Sequence, residues 1–238
     1  STALSMTYEG ARGETAEQLR SIFHFTEEDF ERWRSNARIY NLLNGREETY
    51  QLHTVNALWI QMDYPIKEEY IEAVENYYGG SAEGLDFVGK PDESRTIIND
   101  LVEVRTNNKI KDLFPPGSID PLTRLVLTNA IYFKGDWLKA FNPDKTTKED
   151  FHLKDGEKLE VDMMRMDEAT FNYTETEDLQ ILELPYKGKE ISMIILLPKD
   201  NNLDDVEEKL DYNIYREWIK GLHATKLKVH LPKFKLET

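Results

Sequence analysis

The sequence contains no cysteine. Disulfide scaffolding, thiolate zinc sites and cysteine nucleophiles are therefore excluded, while the compartment stays undecided. Long hydrophobic runs are also missing. The longest, ISMIILL at 191–197, is strand-sized, well short of the ~18 residues of a membrane-spanning helix. Basic charge is in deficit, with 30 Lys and Arg against 45 Asp and Glu and a formal net charge of −15. An acidic surface repels nucleic acid and anionic membranes, so neither is expected as a partner. The phosphate-binding patterns GxGxxG and GxxxxGK[ST] and the nucleophile pattern GxSxG are absent. The five histidines (His24, His53, His152, His223 and His230) are scattered, and no two have the i, i+4 spacing of a zinc-binding helix. No catalytic residue, metal ligand or cofactor-binding residue is assigned, and the chain is not expected to be an enzyme.

What is present is the composition of a globular protein. Apolar residues make up 39% and charged residues 32% of 238 residues, enough chain for a substantial core. A first helix is expected to run to Gly10, with that glycine as the left-handed residue past its end. Thr15 and Gln18 form a capping-box pattern ahead of Leu19, Ile22 and Phe23, which recur at helical spacing. Residues 26–48 read as a further helix of mixed charge. Then the period changes to two. In YQLHTVNALWIQ, Leu52, Thr54, Asn56, Leu58 and Ile60 share one side of a strand, and Val55, Ala57 and Trp59 the other. Pro65 opens a helix with the stripe Ile66, Tyr70, Val74 and Tyr77, and Gly79-Gly80 closes it. AEGLDF reads as a short strand, Ile98, Leu101 and Val102 mark a helix reaching Asn108, and 115–121 is a loop.

From there the pattern is mostly β. Residues 124–133 form a strand. FHLKDGEKLEV is a hairpin turning at Asp155-Gly156, and LQILELPYKGKEISMIILLP is a second one turning at Lys187-Gly188-Lys189. Two short helices at 203–210 and 212–221 precede a last strand alternating through Leu227, Val229 and Leu231, with His230 on its opposite, exposed face. Asn172-Tyr173-Thr174 fits a glycosylation acceptor, a pattern that recurs by chance. Helices come early and hairpins late without a βαβ rhythm, which predicts an α+β fold. The N-terminus starts within an apparent helix and the C-terminus stops just after a strand pattern, so the chain is expected to be an internal piece of a longer protein.

One residue breaks the pattern. Asn129 shares a strand face with Leu125, Leu127, Ile131 and Phe133, while Val126, Ala130 and Tyr132 line the other. Apolar residues on both faces predict a strand covered on both sides. A side-chain amide there needs fixed hydrogen-bond partners. It is either a structural amide bonding a neighbouring strand or a polar clasp where a sheet must open, and composition does not choose between them.

Several colinear segments resemble one family. STALSMTYEGARGETAEQL, INDLVEVRTNNKIKDLFPPGSIDPLTRLVLTNAIYFKGDWLKAF, VDMMRM, LELPYKGKEISMIILLP and HLPKFKLE together resemble a serpin, most like the prokaryotic members, over essentially all of residues 1–238. Leu101 departs from the pattern, standing where many relatives carry Trp. The resemblance implies a single partial serpin domain over 1–238, with early helices, a large central mixed sheet and smaller antiparallel sheets. It implies a target serine protease as partner and a suicide mechanism: a cleaved reactive loop inserts as an extra strand in the large sheet and traps the acylated protease. In the family pattern that loop lies beyond Thr238, so the reactive bond is outside this chain, which is not expected to inhibit by itself. The remaining serpin segments are expected in the parent sequence or on a complementary chain. By the same resemblance Asn129 matches the asparagine where the large sheet parts. Trp137 matches the tryptophan at the top of that sheet, and Lys134 and Gly135 match the approach to it. The alternative function is a non-inhibitory serpin-fold binding, carrier or chaperone-like protein.

Overall fold

The computed structural model describes residues 2–44, 49–154 and 156–235. They form two compact units, the first ending at Lys134 and the second beginning at Gly135.

The first unit carries five helices: α1 (Thr2–Gly10), α2 (Gly13–Phe23), α3 (Asp29–Asn44), α4 (Glu68–Tyr78) and α5 (Pro91–Arg105). Its strands are β1 (Tyr50–Gln61), β2 (Gly80–Leu85) and β3 (Leu125–Gly135), in the order β2-β1-β3. β1 and β2 run parallel, with Asn56 opposite Gly80. β3 runs antiparallel to β1: Gln61 N–H donates to Arg124 C=O at one end, and Asn129 reaches Asn56 five residues further along. α5 packs on one face of this sheet through Ile98, with Trp59 and Phe87 fully buried beneath it. On the other face Met6 of α1 and Val74 and Tyr78 of α4 form a second cluster, against which Leu127 packs.

Several expected helix boundaries differ, among them the end of α5, which stops at Arg105 and not at Asn108. Gly10 stays helical and carries no positive φ; the left-handed glycine is Gly13, at φ 57°. α2 starts there, with extended Arg12 ahead of it and no side-chain cap, so Thr15 lies inside the helix and the expected capping box is absent. The cause is the tight connection. The Arg12 guanidinium donates to the carbonyls of Glu9 and Ala11, within a connection of only two residues between α1 and α2. The mixed-charge helix is α3, shorter than expected, and residues 45–48 lie outside the described set. α4 begins at Glu68, three residues after Pro65, and ends as expected, with Gly79 left-handed at φ 60° donating its N–H to Val74.

The second unit is built on an antiparallel sheet. Its strands are β4 (Thr147–His152), β5 (Lys158–Glu175), β6 (Leu179–Pro185), β7 (Ser192–Pro198) and β8 (His223–Pro232). They run β4-β5-β6-β7, with β8 also paired to the long β5. Both expected hairpins form, pairing Phe151 with Leu159 and Leu182 with Ile195. Asp155, of the first turn, lies outside the described residues. Two short helices, α6 (Leu203–Lys209) and α7 (Tyr212–Gly221), cross between β7 and β8. The core gathers Phe171, Leu184 and Val229, with Leu227 and Leu231 packed against them. His230 faces outward as expected, its side chain 45% exposed. Asn172 stands within β5 and donates to Glu183 at 2.7 Å, so its amide is engaged in a sheet. The α+β class is therefore observed. The mixed sheet, expected to be the large one, has three strands among the described residues, and the antiparallel sheet has five.

Candidate functional site

β3 places Asn129 on the strand face that it shares with Leu127. That face is less covered than the apolar pattern implied. Leu127 packs on α1 and α4, but Asn129 is exposed, Leu125 is 41% exposed, and Ile131 58%. The opposite face is buried at Thr128 and Ala130. Apolar alternation records which residues avoid water, and it does not say which segment covers them.

The side chain of Asn129 does find a fixed partner. Its Nδ2 donates to Asn56 Oδ1 on β1 at 2.6 Å. Asn56 is 3% exposed and passes the contact inward, its own Nδ2 donating to the backbone carbonyl of Tyr78 at 2.7 Å. One exposed amide is thus tied through a buried one to the C-terminus of α4. Both ends of the Asn56 amide are satisfied, which offsets the cost of burying it in an apolar strand.

Tyr78 leads deeper. Its ring is fully buried and its hydroxyl donates to Glu9 Oε1 at 2.5 Å. Because that proton is committed to Glu9, the Ser5 hydroxyl at 3.3 Å is the donor to the Tyr78 oxygen. Arg32 holds the same carboxylate with two nitrogens, Nε to Oε1 at 2.6 Å and Nη2 to Oε2 at 2.9 Å, the paired geometry that planar guanidinium and carboxylate groups favour. Arg32 also donates to Asp29 Oδ1 and to the Thr26 carbonyl, and lies over the Tyr8 ring. Glu9 is 8% and Arg32 4% exposed, so a buried ion pair with satisfied hydrogen bonds stands behind the two asparagines. Burial, reinforced by Glu9, pushes the Tyr78 hydroxyl well above the ordinary tyrosine range and keeps it a neutral donor. Burial alone would weaken the Arg32 charge, but its bonds to Glu9 and Asp29 outweigh that and hold its pKa above the ordinary arginine value.

The glycines at the end of α4 are required where they stand. A Cβ on Gly79 would lie 2.2 Å from the Tyr40 ring, and one on Gly80 2.6 Å from Val74. The left-handed φ at Gly79 adds its own demand for glycine. Together they bring the chain from α4 straight into β2, beside Asn56.

The other residues matched by resemblance lie elsewhere. Lys134, exposed, and Gly135, half-buried, are the last two positions of β3. Trp137 belongs to the second unit. It is half-buried and stacks on Tyr186 with ring centroids 4.4 Å apart and planes 12° apart. The adjoining backbone is tied to the end of β6, Leu138 N–H donating to Pro185 C=O and Lys187 N–H to Asp136 C=O. Sequence reading singled out Asn129 but passed over Asn56, Tyr78, Glu9 and Arg32. A signal existed for Asn56, a lone amide between Val55 and Ala57. Glu9 and Arg32, 23 residues apart, carried none beyond their charge.

Among the described residues no cluster of His, Asp and Glu is arranged to hold a metal ion, and no helix is long and apolar enough to cross a membrane. In the second unit, Glu149 on β4 accepts from Arg165 on β5 at 2.6 Å and lies 3.9 Å from His230 on β8. The Arg165 bond holds the Glu149 carboxyl down at about 2. The three residues sit on the exposed face of the sheet as a surface network.

The chain matches the family model described as Serpin (serine protease inhibitor) over residues 1–238. It is 45% identical over 239 residues to an uncharacterized serpin-like protein of Methanosarcina mazei, covering all of this chain and 56% of that protein. It is 37% identical over 257 residues to human serpin B3, covering 99% of this chain and 65% of that one. Emu ovalbumin superposes with a TM-score of 0.90 at 31% identity, over 97% of this chain and 64% of its own. The chain thus spans between half and two thirds of the length of these relatives, and the archaeal relative is nearer in identity than the human one. On these matches and on the architecture that carries them, the chain belongs to the serpin family.

Proposed function

We propose that the protein containing this chain is a serine protease inhibitor, and that residues 1–238 contribute part of a single serpin domain to it. Its inhibition works by insertion of a cleaved reactive loop, carried outside these residues, into the sheet that contains β3, with the acylated protease trapped on the loop. The observation that carries the reading is the Asn129–Asn56 hydrogen bond between an outer strand and its only neighbour among the described residues. An outer strand presents backbone N–H and C=O groups along its length, which is the surface an added strand pairs with. The Asn129–Asn56 bond ties β3 to β1 on the side away from that free edge, and as one side-chain bond it adds ~1 kcal/mol net to the backbone pairing of the two strands. The uncleaved state is then held kinetically, and insertion releases free energy.

In this reading Asn129 controls parting of the sheet, while Trp137, with Lys134 and Gly135 leading to it, marks the sheet's upper end. The test is to nick the reactive loop of the full-length protein with a protease and follow thermal unfolding together with Trp emission. Insertion raises the unfolding temperature and changes the part of the emission that Trp137→Phe removes. If nicking changes neither, the inhibitory mechanism is wrong and the non-inhibitory binding or carrier role takes its place.

A further inference from the structure

The acceptor that Asn129 uses has its polarity imposed from below. A carboxamide has one donor end and one acceptor end, and turning it over exchanges them. In Asn56 the nitrogen faces the Tyr78 carbonyl and the oxygen faces Asn129. Turned over, Asn56 would set oxygen against the Tyr78 carbonyl and nitrogen against the Asn129 nitrogen, losing both bonds. The Tyr78 carbonyl therefore decides that Asn56 offers an acceptor to β3.

That carbonyl is itself fixed at three points. Gly79 follows it in a left-handed conformation with the Tyr40 ring against it. Gly80 is in register with Asn56 on the paired strand. The Tyr78 ring is fully buried, and its hydroxyl is bonded to the Glu9 carboxylate that Arg32 clamps. Of these three restraints the last is charged and is made of residues from α1 and α3, which do not touch β3 through this contact.

We propose that Glu9, Arg32 and Tyr78 form a latch for the outer strand: positioning residues that hold the Asn56 acceptor in place and orientation for Asn129. The choice of β3 as the strand that parts rests on the function proposed above. A buried ion pair with bidentate geometry is rigid and costly to disturb, so it sets the Tyr78 carbonyl more firmly than apolar packing would. Displacing the Tyr78 hydroxyl is felt at β3 as a weakened acceptor.

The test uses the full-length protein containing this chain and reads hydrogen exchange of the β3 backbone amides. Tyr78→Phe keeps the ring and removes only the hydroxyl, and Glu9 stays paired with Arg32. The four proteins are the parent, Tyr78→Phe, Asn129→Ala and the double variant. The latch predicts that Tyr78→Phe speeds β3 exchange about fivefold, the factor matching one net hydrogen bond. Amides of β6 and β7 stay unchanged, and the double variant exchanges no faster than Asn129→Ala alone. Effects that multiply in the double variant, or exchange that rises equally in β6 and β7, would overturn the latch and leave Tyr78 as an ordinary packing residue. If Tyr78→Phe does not fold, Glu9→Gln, with Arg32 still bonded to Asp29, is read in the same way. Loop insertion after nicking is followed in the same four proteins. Coupled exchange at β3 with an identical insertion rate in all four supports the latch and counts against sheet opening as its use.

Discussion

The Asn129 side chain donates its amide to Asn56 Oδ1 across β1 and β3 at 2.6 Å, and the two asparagines stand in opposite environments, one exposed and one 3% exposed. The bond is therefore cheap to break on one side and expensive on the other. Removing Asn129 leaves only the Asn56 oxygen without its donor, whereas removing Asn56 orphans the buried Tyr78 carbonyl as well.

Replacement of the two asparagines should reflect this asymmetry. Asn56→Ala is expected to lower stability by ~1–3 kcal/mol, the cost of a buried polar group left without its partner, and Asn129→Ala by less than ~1 kcal/mol. Urea unfolding of the full-length variants measures both. Asn129→Ala should nonetheless speed heat-induced polymerisation, because the outer strand has lost its side-chain tie. Equal costs for the two variants, or unchanged polymerisation, would show that the pair acts otherwise.

The Glu9–Arg32 pair should respond to single and double replacement with opposite economy. Arg32→Met leaves the Glu9 carboxylate buried without its cation and is expected to cost ~3–5 kcal/mol. Glu9→Leu combined with Arg32→Met removes both charges and should cost less than Arg32→Met alone. A double-mutant cycle by denaturant unfolding gives the coupling directly, and additive costs would contradict a true buried pair.

Gly79→Ala meets two obstacles, the left-handed φ of 60° and the Tyr40 ring 2.2 Å from the new Cβ. Left-handed strain of ~1–2 kcal/mol and overpacking of ~1–3 kcal/mol give a loss of roughly 2–5 kcal/mol. In a Tyr40→Ala background the same substitution should cost only the backbone part. An undiminished cost there would mean that the Tyr40 contact contributes nothing.

Acid should weaken the second unit through its exposed carboxylates. The Arg165 hydrogen bond lowers Glu149 from an ordinary 4.5 to about 2, and bonds from Lys145 and Lys199 also lower Asp167 and Glu175. A carboxylate whose folded pKa is depressed binds fewer protons folded than unfolded. Its stabilisation is present above pH ~4.5 and is lost as pH falls toward ~2. An NMR titration should place Glu149 low in the parent and return it toward 4.5 in Arg165→Gln. A Glu149 titration that ignores the substitution would remove the stated cause.

Much of this architecture was legible because its signals are local. The switch from a 3.6 to a 2.0 period marked β1, and Gly79-Gly80 marked the stop of α4, each through constraints acting within a few residues. The Thr15 capping box misled because the connection from α1 is only two residues long and α2 has already started at Gly13 before Thr15 is reached. Asn129 stood out as an amide in an apolar strand, yet its exposure was not legible, since alternation gives a residue's face and not what lies over it. The latch was invisible for a different reason. A charged residue in a mixed-charge helix is usually solvated, and only tertiary packing shows that Arg32 turns inward to meet Glu9. Asn56, on the same grounds as Asn129, could have been found.

The most direct test of the account is denaturing mass analysis of the full-length protein before and after mixing with a panel of serine proteases. The account predicts a stable adduct of the summed masses of inhibitor and protease with at least one of them. Clean cleavage without an adduct across the panel would contradict the trapping mechanism and turn attention to what the serpin surface binds.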